Sequence, residues 1–273
     1  SNAYTVKAGS LTIAPGATYA QLNPASVNVE NASTFAISTS ANGWWKNTAF
    51  NFTGGLGGGI MNLGGNPIAQ GSTTNTFSTS GGATNTITGV LNANTADVNF
   101  NLTPATSGTT LLDGSFAALA FTQSSTTYGL GSGGAGAGTV NMSGGGNLLI
   151  KDKFRATTFN INAGNVQVGD GTAATSSTTA TLDATNISIA TGSKLTLNRA
   201  EAYGIASAIT GTGSLIQASA GTLTLTGNSS AFAGSTTVNA GKTLALGTGG
   251  SLGAAGSTVT LVDSASQLHF TGA

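Results

Sequence analysis

One phrase recurs along this chain and limits what it can fold into: an apolar residue, a small residue three positions later, then two apolar residues with one residue between them. It reads Val6-Lys7-Ala8-Gly9-Ser10-Leu11-Thr12-Ile13 near the start and Ile161-Asn162-Ala163-Gly164-Asn165-Val166-Gln167-Val168 in the middle. With one residue inserted it returns from Ile189 to Leu197 through Gly192, from Val238 to Leu246 through Gly241 and from Met142 to Ile150 through Gly145. Val29 to Ile37 fits with Ala32 at the small position. Two apolar residues flanking a third put both side chains on one face of a strand, and the small residue ahead of them lets the chain turn tightly, often with positive φ. The phrase is therefore a corner between two strands. Copies begin about 19 to 28 residues apart, or about twice that, as one coil of a solenoid per copy requires. A lone coil cannot bury its apolar side. Stacked coils, about 4.8 Å apart, pair every strand with its neighbours and enclose a continuous core. At about 22 residues per coil, about 12 coils make a rod about 60 Å long. The expected fold is all-β, a parallel β-helix forming a single elongated rod.

Composition agrees. Few stretches escape Gly, Thr, Asn or Ser long enough to sustain a helical apolar period, whereas Leu223-Thr224-Leu225, Leu195-Thr196-Leu197 and Val98-Asn99-Phe100 alternate as strands do. A hydrophobic share of 39% with regularly placed Val, Ile and Leu argues against disorder. Charged residues make up only 6% and balance to a net charge of +0, so the surface has little reach towards nucleic acid or anionic lipid, and no nucleic-acid partner is expected. Cysteine is absent, which excludes a disulfide-stapled fold and a thiolate metal site.

Ser1-Asn2-Ala3 reads as the scar of a removed expression tag, leaving residues 4–273 as one β-helix domain. A leader or membrane anchor of a longer parent would have been removed with it, so their absence says nothing of location. Residues 39–138 fit the phrase poorly. Gly54-Gly55, Gly57-Gly58-Gly59, Gly64-Gly65 and the run from Gly131 to Gly138 predict longer loops, while strand-like pieces at Phe50–Phe52, Thr86–Leu91, Val98–Leu102 and Ala117–Phe121 keep the region in the same solenoid as irregular coils with protrusions.

Few residues offer chemistry. Polysaccharide-cleaving sites need clustered carboxylates, but Glu30, Asp97, Asp113, Asp152, Asp170, Asp183, Glu201 and Asp263 are scattered. Asp152 and Asp170 could stack on adjacent coils, but ordinary exposed turn aspartates are the favoured reading. His269, the single histidine, alternates with Leu268 and Phe270 as an outward strand residue. The recurring Asp beside Gly of calcium-binding repeats is missing, as is any Gly-Lys-Ser/Thr phosphate cradle, so no metal and no cofactor are expected. Lys151, Asp152, Lys153 and Arg155 form the densest charged stretch, read as a solvated strand or loop before an anion or glycan contact. Trp44-Trp45 is the sharpest local feature. In a strand, adjacent residues face opposite ways, so one ring enters the core and the other lies outside. Covering a neighbouring loop or capping coil ends is the commoner use of such a ring, but an exposed ring also stacks on a sugar face and a nearby cation strengthens the site, so Trp44 and Trp45 with Lys46 are the candidate ligand contact. The Asn-x-Ser/Thr triplets, such as Asn51-Phe52-Thr53, follow from composition.

From Gly211 to Asn228 the chain reads Gly-Thr-Gly-Ser-Leu-Ile-Gln-Ala-Ser-Ala-Gly-Thr-Leu-Thr-Leu-Thr-Gly-Asn, and then Gly234-Ser235-Thr236-Thr237-Val238-Asn239-Ala240-Gly241-Lys242-Thr243-Leu244-Ala245-Leu246-Gly247. Residues 211–253 resemble the autotransporter-associated β-strand repeat of bacterial autotransporter passenger domains. The resemblance implies a right-handed parallel β-helix, export across the outer membrane to the cell surface, and contact with membrane only through a C-terminal translocator barrel outside these residues. The usual tyrosine-rich turn after Asn228 is here Ser229-Ser230-Ala231-Phe232-Ala233, where Phe232 is the sole aromatic. The function expected is a structural and adhesive passenger segment, not an enzyme, that attaches to a host-cell or glycan surface or self-associates, which a near-zero net charge favours. A carbohydrate-active lyase or hydrolase rests on shared architecture alone. Ice binding through outward Thr222, Thr224 and Thr226 ranks last, because the threonine spacing does not recur from coil to coil.

Overall fold

The computed structural model describes residues 3–13, 20–21, 26–30, 33–37, 43–45, 49–53, 60–62, 68–69, 74–79, 84–88, 92–93, 99–103, 109–113, 121–123, 126–128, 139–151, 153–172 and 180–272. Among them are 32 strands and no helix. The strands stack as a parallel β-solenoid with three faces. The first face is a nine-stranded sheet running from Ala3–Val6 to Ala208–Gly211, and the second an eleven-stranded sheet from Ser10–Ile13 to Thr258–Leu261. The third is built in two pieces of four strands each, Ala20–Gln21 to Asn92–Ala93 near the start and Tyr203–Ile205 to Gln267–Phe270 near the end. Eleven strands at about 4.8 Å per step make the second face about 48 Å tall.

The recurring phrase is the bend between faces. Val6, Ile161 and Ile189 end strands of the first face; Gly9, Gly164 and Gly192 follow at φ of 78°, 78° and 82°; and Ser10–Ile13, Asn165–Val168 and Lys194–Leu197 open the second face. The copy through Gly241, at φ 65°, sits at a different corner, because Val238 ends a strand of the second face and Thr243–Leu246 belongs to the third. Strand, tight turn and strand suit either bend, so the same local sequence serves both.

Inside, like stacks on like. Val140, Phe159, Ile187 and Ile209 align along the first face, and Leu148, Val166, Leu195 and Leu215 along the second, all fully buried. Each such side chain contributes about 1.5–3 kcal/mol through removal from water. The long strands Lys153–Ile161 and Thr181–Ile189 turn a corner without a glycine. Phe154 and Ala156 are buried, then Phe159 and Ile161, so the alternation slips one residue at Thr157-Thr158 and the strand bends there within the nine-stranded sheet. Leu182, Ala184, Ile187 and Ile189 repeat the slip one coil on.

Coil length varies. Asn147 and Asn165, hydrogen-bonded across adjacent coils, are 18 residues apart, while Asn28 and Asn51 are 23 apart. The widest excursion separates Asn101 from its partner Asn141 by 40 residues, and within it Phe121–Gln123 and Thr126–Tyr128 pair antiparallel with each other. Every other ladder among the described residues is parallel, so this hairpin lies outside the solenoid's ladders.

Candidate functional site

Trp44 and Trp45 lie on the strand Gly43–Trp45 of the third face, with Trp44 in register with Gln21 and Ile68 and Trp45 with Ala69. Their side chains, and Lys46 entirely, lie outside the described residues. Asp152 does too, so a pairing of Asp152 with Asp170 cannot be read from the structure. What the structure gives Asp170 is Lys151, whose Nζ lies 3.6 Å from the carboxylate, both side chains being about a quarter exposed at 25% and 24%. The same carboxylate accepts hydrogen bonds from the Thr172 backbone N–H at 3.0 Å and hydroxyl at 2.6 Å. A partly exposed ion pair of this kind contributes about 0–1 kcal/mol, and it assigns Asp170 to holding a turn. Ile150 and Val168 are in register, which brings the residues just after them together.

Among the described residues the other acidic groups are dispersed. Asp183 is exposed at the position in register with Arg155, and Asp263 folds back on its own turn. The Asp263 carboxylate accepts the Ser266 hydroxyl at 2.7 Å and the Gly241 N–H at 3.1 Å, and these bonds hold its pKa below the ordinary 3.8. His269 is exposed on Gln267–Phe270. Among the described residues no three His, Asp or Glu side chains come together to hold a metal ion.

The outer surface is amide and hydroxyl instead. Asn51 donates to Asn28 at 2.9 Å, Asn160 to Asn141 at 2.9 Å and Asn165 to Asn147 at 3.0 Å, each across adjacent coils. An Asn side chain carries a donor and an acceptor, so stacked copies bond one above another. Sequence reasoning gave these residues no role; the signal was their recurrence at coil spacing. Beside the last pair, the second face carries a groove of about 330 Å³ lined by Asn147, Asn165, Gln167, Thr196 and the aliphatic Leu149, with the strand at Leu148 and Val166 as its floor. The lining carries no ionisable group, so it suits an uncharged polar ligand.

A second polar set, also unforeseen, lies inside near residues 180–245. The Tyr203 hydroxyl accepts the Leu182 N–H at 2.6 Å and donates to the Leu182 carbonyl at 2.9 Å, taking the place of a backbone rung between coils. Ser207 donates to the Ala184 carbonyl, and Ser229 accepts the Ile209 N–H at 3.0 Å. Fully buried Gln217 donates to the Gly221 and Thr243 carbonyls at 3.0 and 2.9 Å and accepts the Ser219 N–H at 3.1 Å. Arg199 reaches the Ala180 carbonyl at 2.7 Å, and its guanidinium lies 4.4 Å from the Tyr203 ring centroid. These groups satisfy backbone that bends out of ladder register, a structural duty.

The coil from Leu215 on the second face through Leu223 on the third to Thr236 back on the second completes a revolution in 21 positions. Residues 215–246 match the family model described as Passenger-associated-transport-repeat. The match is consistent with an autotransporter passenger repeat and agrees with the resemblance drawn from residues 211–253. It begins at Leu215 and ends at Leu246, so the passenger repeat corresponds to one full coil plus the corner leading into the next. No curated protein matches the chain significantly, and neither does any solved structure.

Proposed function

We propose that this chain is a structural segment of an exported autotransporter passenger, displayed at the bacterial surface, where it mediates attachment to a host-cell or glycan surface. The observation that carries the reading is the passenger repeat at 215–246 lying within a parallel solenoid whose coils stack along the described chain. A regular coil offers short polar side chains and paired backbone, which bind weakly, whereas aromatic and cationic groups dominate most contacts. Trp44 and Trp45 beside Lys46 are the concentrated aromatic and cationic pair in this sequence, in the stretch where the repeat is least regular. The uncharged groove at Asn147, Asn165 and Gln167 supports the same class of partner, since a neutral glycan presents hydroxyls to amides and its carbon face to Leu149. Ice binding loses support from the register: Thr224 stacks between Gly204 and Ala245, so its row holds no second threonine there.

Binding to cells and to a glycan array is compared for wild type, Trp44→Ala and Trp45→Ala, with folding checked by circular dichroism. Loss of an anchor costs about 2 kcal/mol or more, over tenfold in affinity. If both variants fold and bind as wild type does, the contact lies elsewhere and the assignment fails.

A further inference from the structure

Like stacks on like inside the solenoid, but one outward row of the second face breaks that rule. Leu149, Gln167, Thr196 and Ile216 follow one another in register on successive coils. Thr196 is the short member between two longer side chains, and Asn147 and Asn165 run alongside it on the neighbouring row. That step in side-chain length opens the groove of about 330 Å³, at the lower end of the about 300–1,000 Å³ usual for small-molecule sites. The protein uses only part of the polar capacity there. Asn165 donates to the Asn147 side-chain oxygen at 3.0 Å and Gln167 to the Gly169 carbonyl at 2.8 Å, and these bonds fix both amides. The side-chain oxygens of Asn165 and Gln167, and the Thr196 hydroxyl, have no protein partner among the described residues. An amide held at its nitrogen and open at its oxygen is a preorganised acceptor.

We infer that this groove is a binding site for a neutral glycan, with room for about one or two sugar rings. Ring hydroxyls donate to the Asn165 and Gln167 oxygens and exchange a hydrogen bond with Thr196, while the carbon face of the ring covers half-buried Leu149. The surroundings favour this occupant. No described residue lining the groove is ionisable, and Lys151, on the same coil as Leu149, is paired with Asp170 at 3.6 Å. Lys194, in register with Asn165, is exposed, so water and salt screen its charge. An anionic ligand therefore meets no desolvated cation. A peptide strand meets no open edge either, because Asn147–Ile150, Asn165–Val168 and Lys194–Leu197 lie inside the eleven-stranded sheet and pair on both sides.

The inference rests on the attachment reading and adds to it a contact on a different face from the tryptophans. The side-chain amide signals of isotope-labelled protein are followed by nuclear magnetic resonance during titration with cellotetraose, maltotetraose, mannotetraose and, as the charged probe, tetragalacturonate. At least one neutral tetrasaccharide should shift the Asn165 and Gln167 signals saturably, with a Kd on the order of 0.1–1 mM, and tetragalacturonate should not. Thr196→Val and Gln167→Leu keep side-chain bulk in the strand, and read at Asn165 each should weaken binding about threefold or more, the pair about tenfold or more. Thr224→Val, on the third face, should leave it unchanged. Circular dichroism spectra and melts confirm that each variant is folded. Groove amides silent to every neutral probe overturn the inference. So does binding that survives the double substitution, or a response to tetragalacturonate alone. Array binding lost in the tryptophan variants beside silent groove amides would sink the groove and leave the attachment reading standing, whereas saturable groove shifts beside unaffected array binding would sink the tryptophan contact alone.

Discussion

Replacing Tyr203 by phenylalanine removes one oxygen atom and, with it, the rung that joins two coils at the third face. The hydroxyl makes two bonds to one residue, at 2.6 Å from the Leu182 N–H and 2.9 Å to the Leu182 carbonyl. Burial pushes the phenol pKa above its usual 10.0, so at neutral pH the group keeps the proton it donates. Arg199, 4.4 Å from the ring centroid, retains its aromatic partner in the variant, which isolates the hydroxyl from the cation–π contact. A buried backbone group left without a partner costs about 1–3 kcal/mol. Tyr203 is only partly buried, so water reaches some of the vacated space, and about 1–3 kcal/mol for both groups together is the expected loss. For a domain of this size that lowers the thermal midpoint by about 2 to 10 °C. A repeat array also opens locally, so amide exchange at Leu182 is the sharper assay and should quicken by about tenfold or more. If Tyr203→Phe leaves both the midpoint and the Leu182 exchange rate as in wild type, the hydroxyl is not a rung and the reasoning is refuted.

Two further perturbations separate kinds of constraint. Gly227 approaches the preceding coil so closely that a Cβ would collide with the Ser207 carbonyl, whereas Gly192, at φ 82°, has open space around it. Gly227→Ala should therefore destabilise by about 3 kcal/mol or more and Gly192→Ala by about 1–2 kcal/mol, and equal urea midpoints for the two would contradict this. Asp263, whose folded pKa is depressed first by the Ser266 hydroxyl and then by the Gly241 N–H, contributes stability above the unfolded value of 3.8 and loses it as pH falls through the lower folded value. The gap in thermal midpoint between wild type and Asp263→Ala should be full at neutral pH and close in strong acid; a gap independent of pH would count against the turn.

How much of this was legible depends on what the coils share. Ile161, Gly164, Val166 and Val168 read as a corner in sequence and form one in the structure, because alternation and a turn residue are local signals. Local signals do not say which corner. The Val238 to Leu246 copy joins the second and third faces while its relatives join the first and second, and nothing within eight or nine residues distinguishes them. Cross-coil pairs are less legible still, since they depend on register, and register depends on coil lengths that run from 18 residues between Asn147 and Asn165 to 40 between Asn101 and Asn141. That is why the Asn ladder went unread and why Asp170 meets Lys151. Buried Ser207, Ser229 and Gln217 look in sequence like surface residues, for a hydroxyl or amide is accepted inside only where bent backbone needs a partner. The same logic bears on binding. Repetition makes each coil a template for the next, and what it specifies everywhere is stacking. Recognition of any other kind must come from residues that break the pattern, such as Trp44 and Trp45.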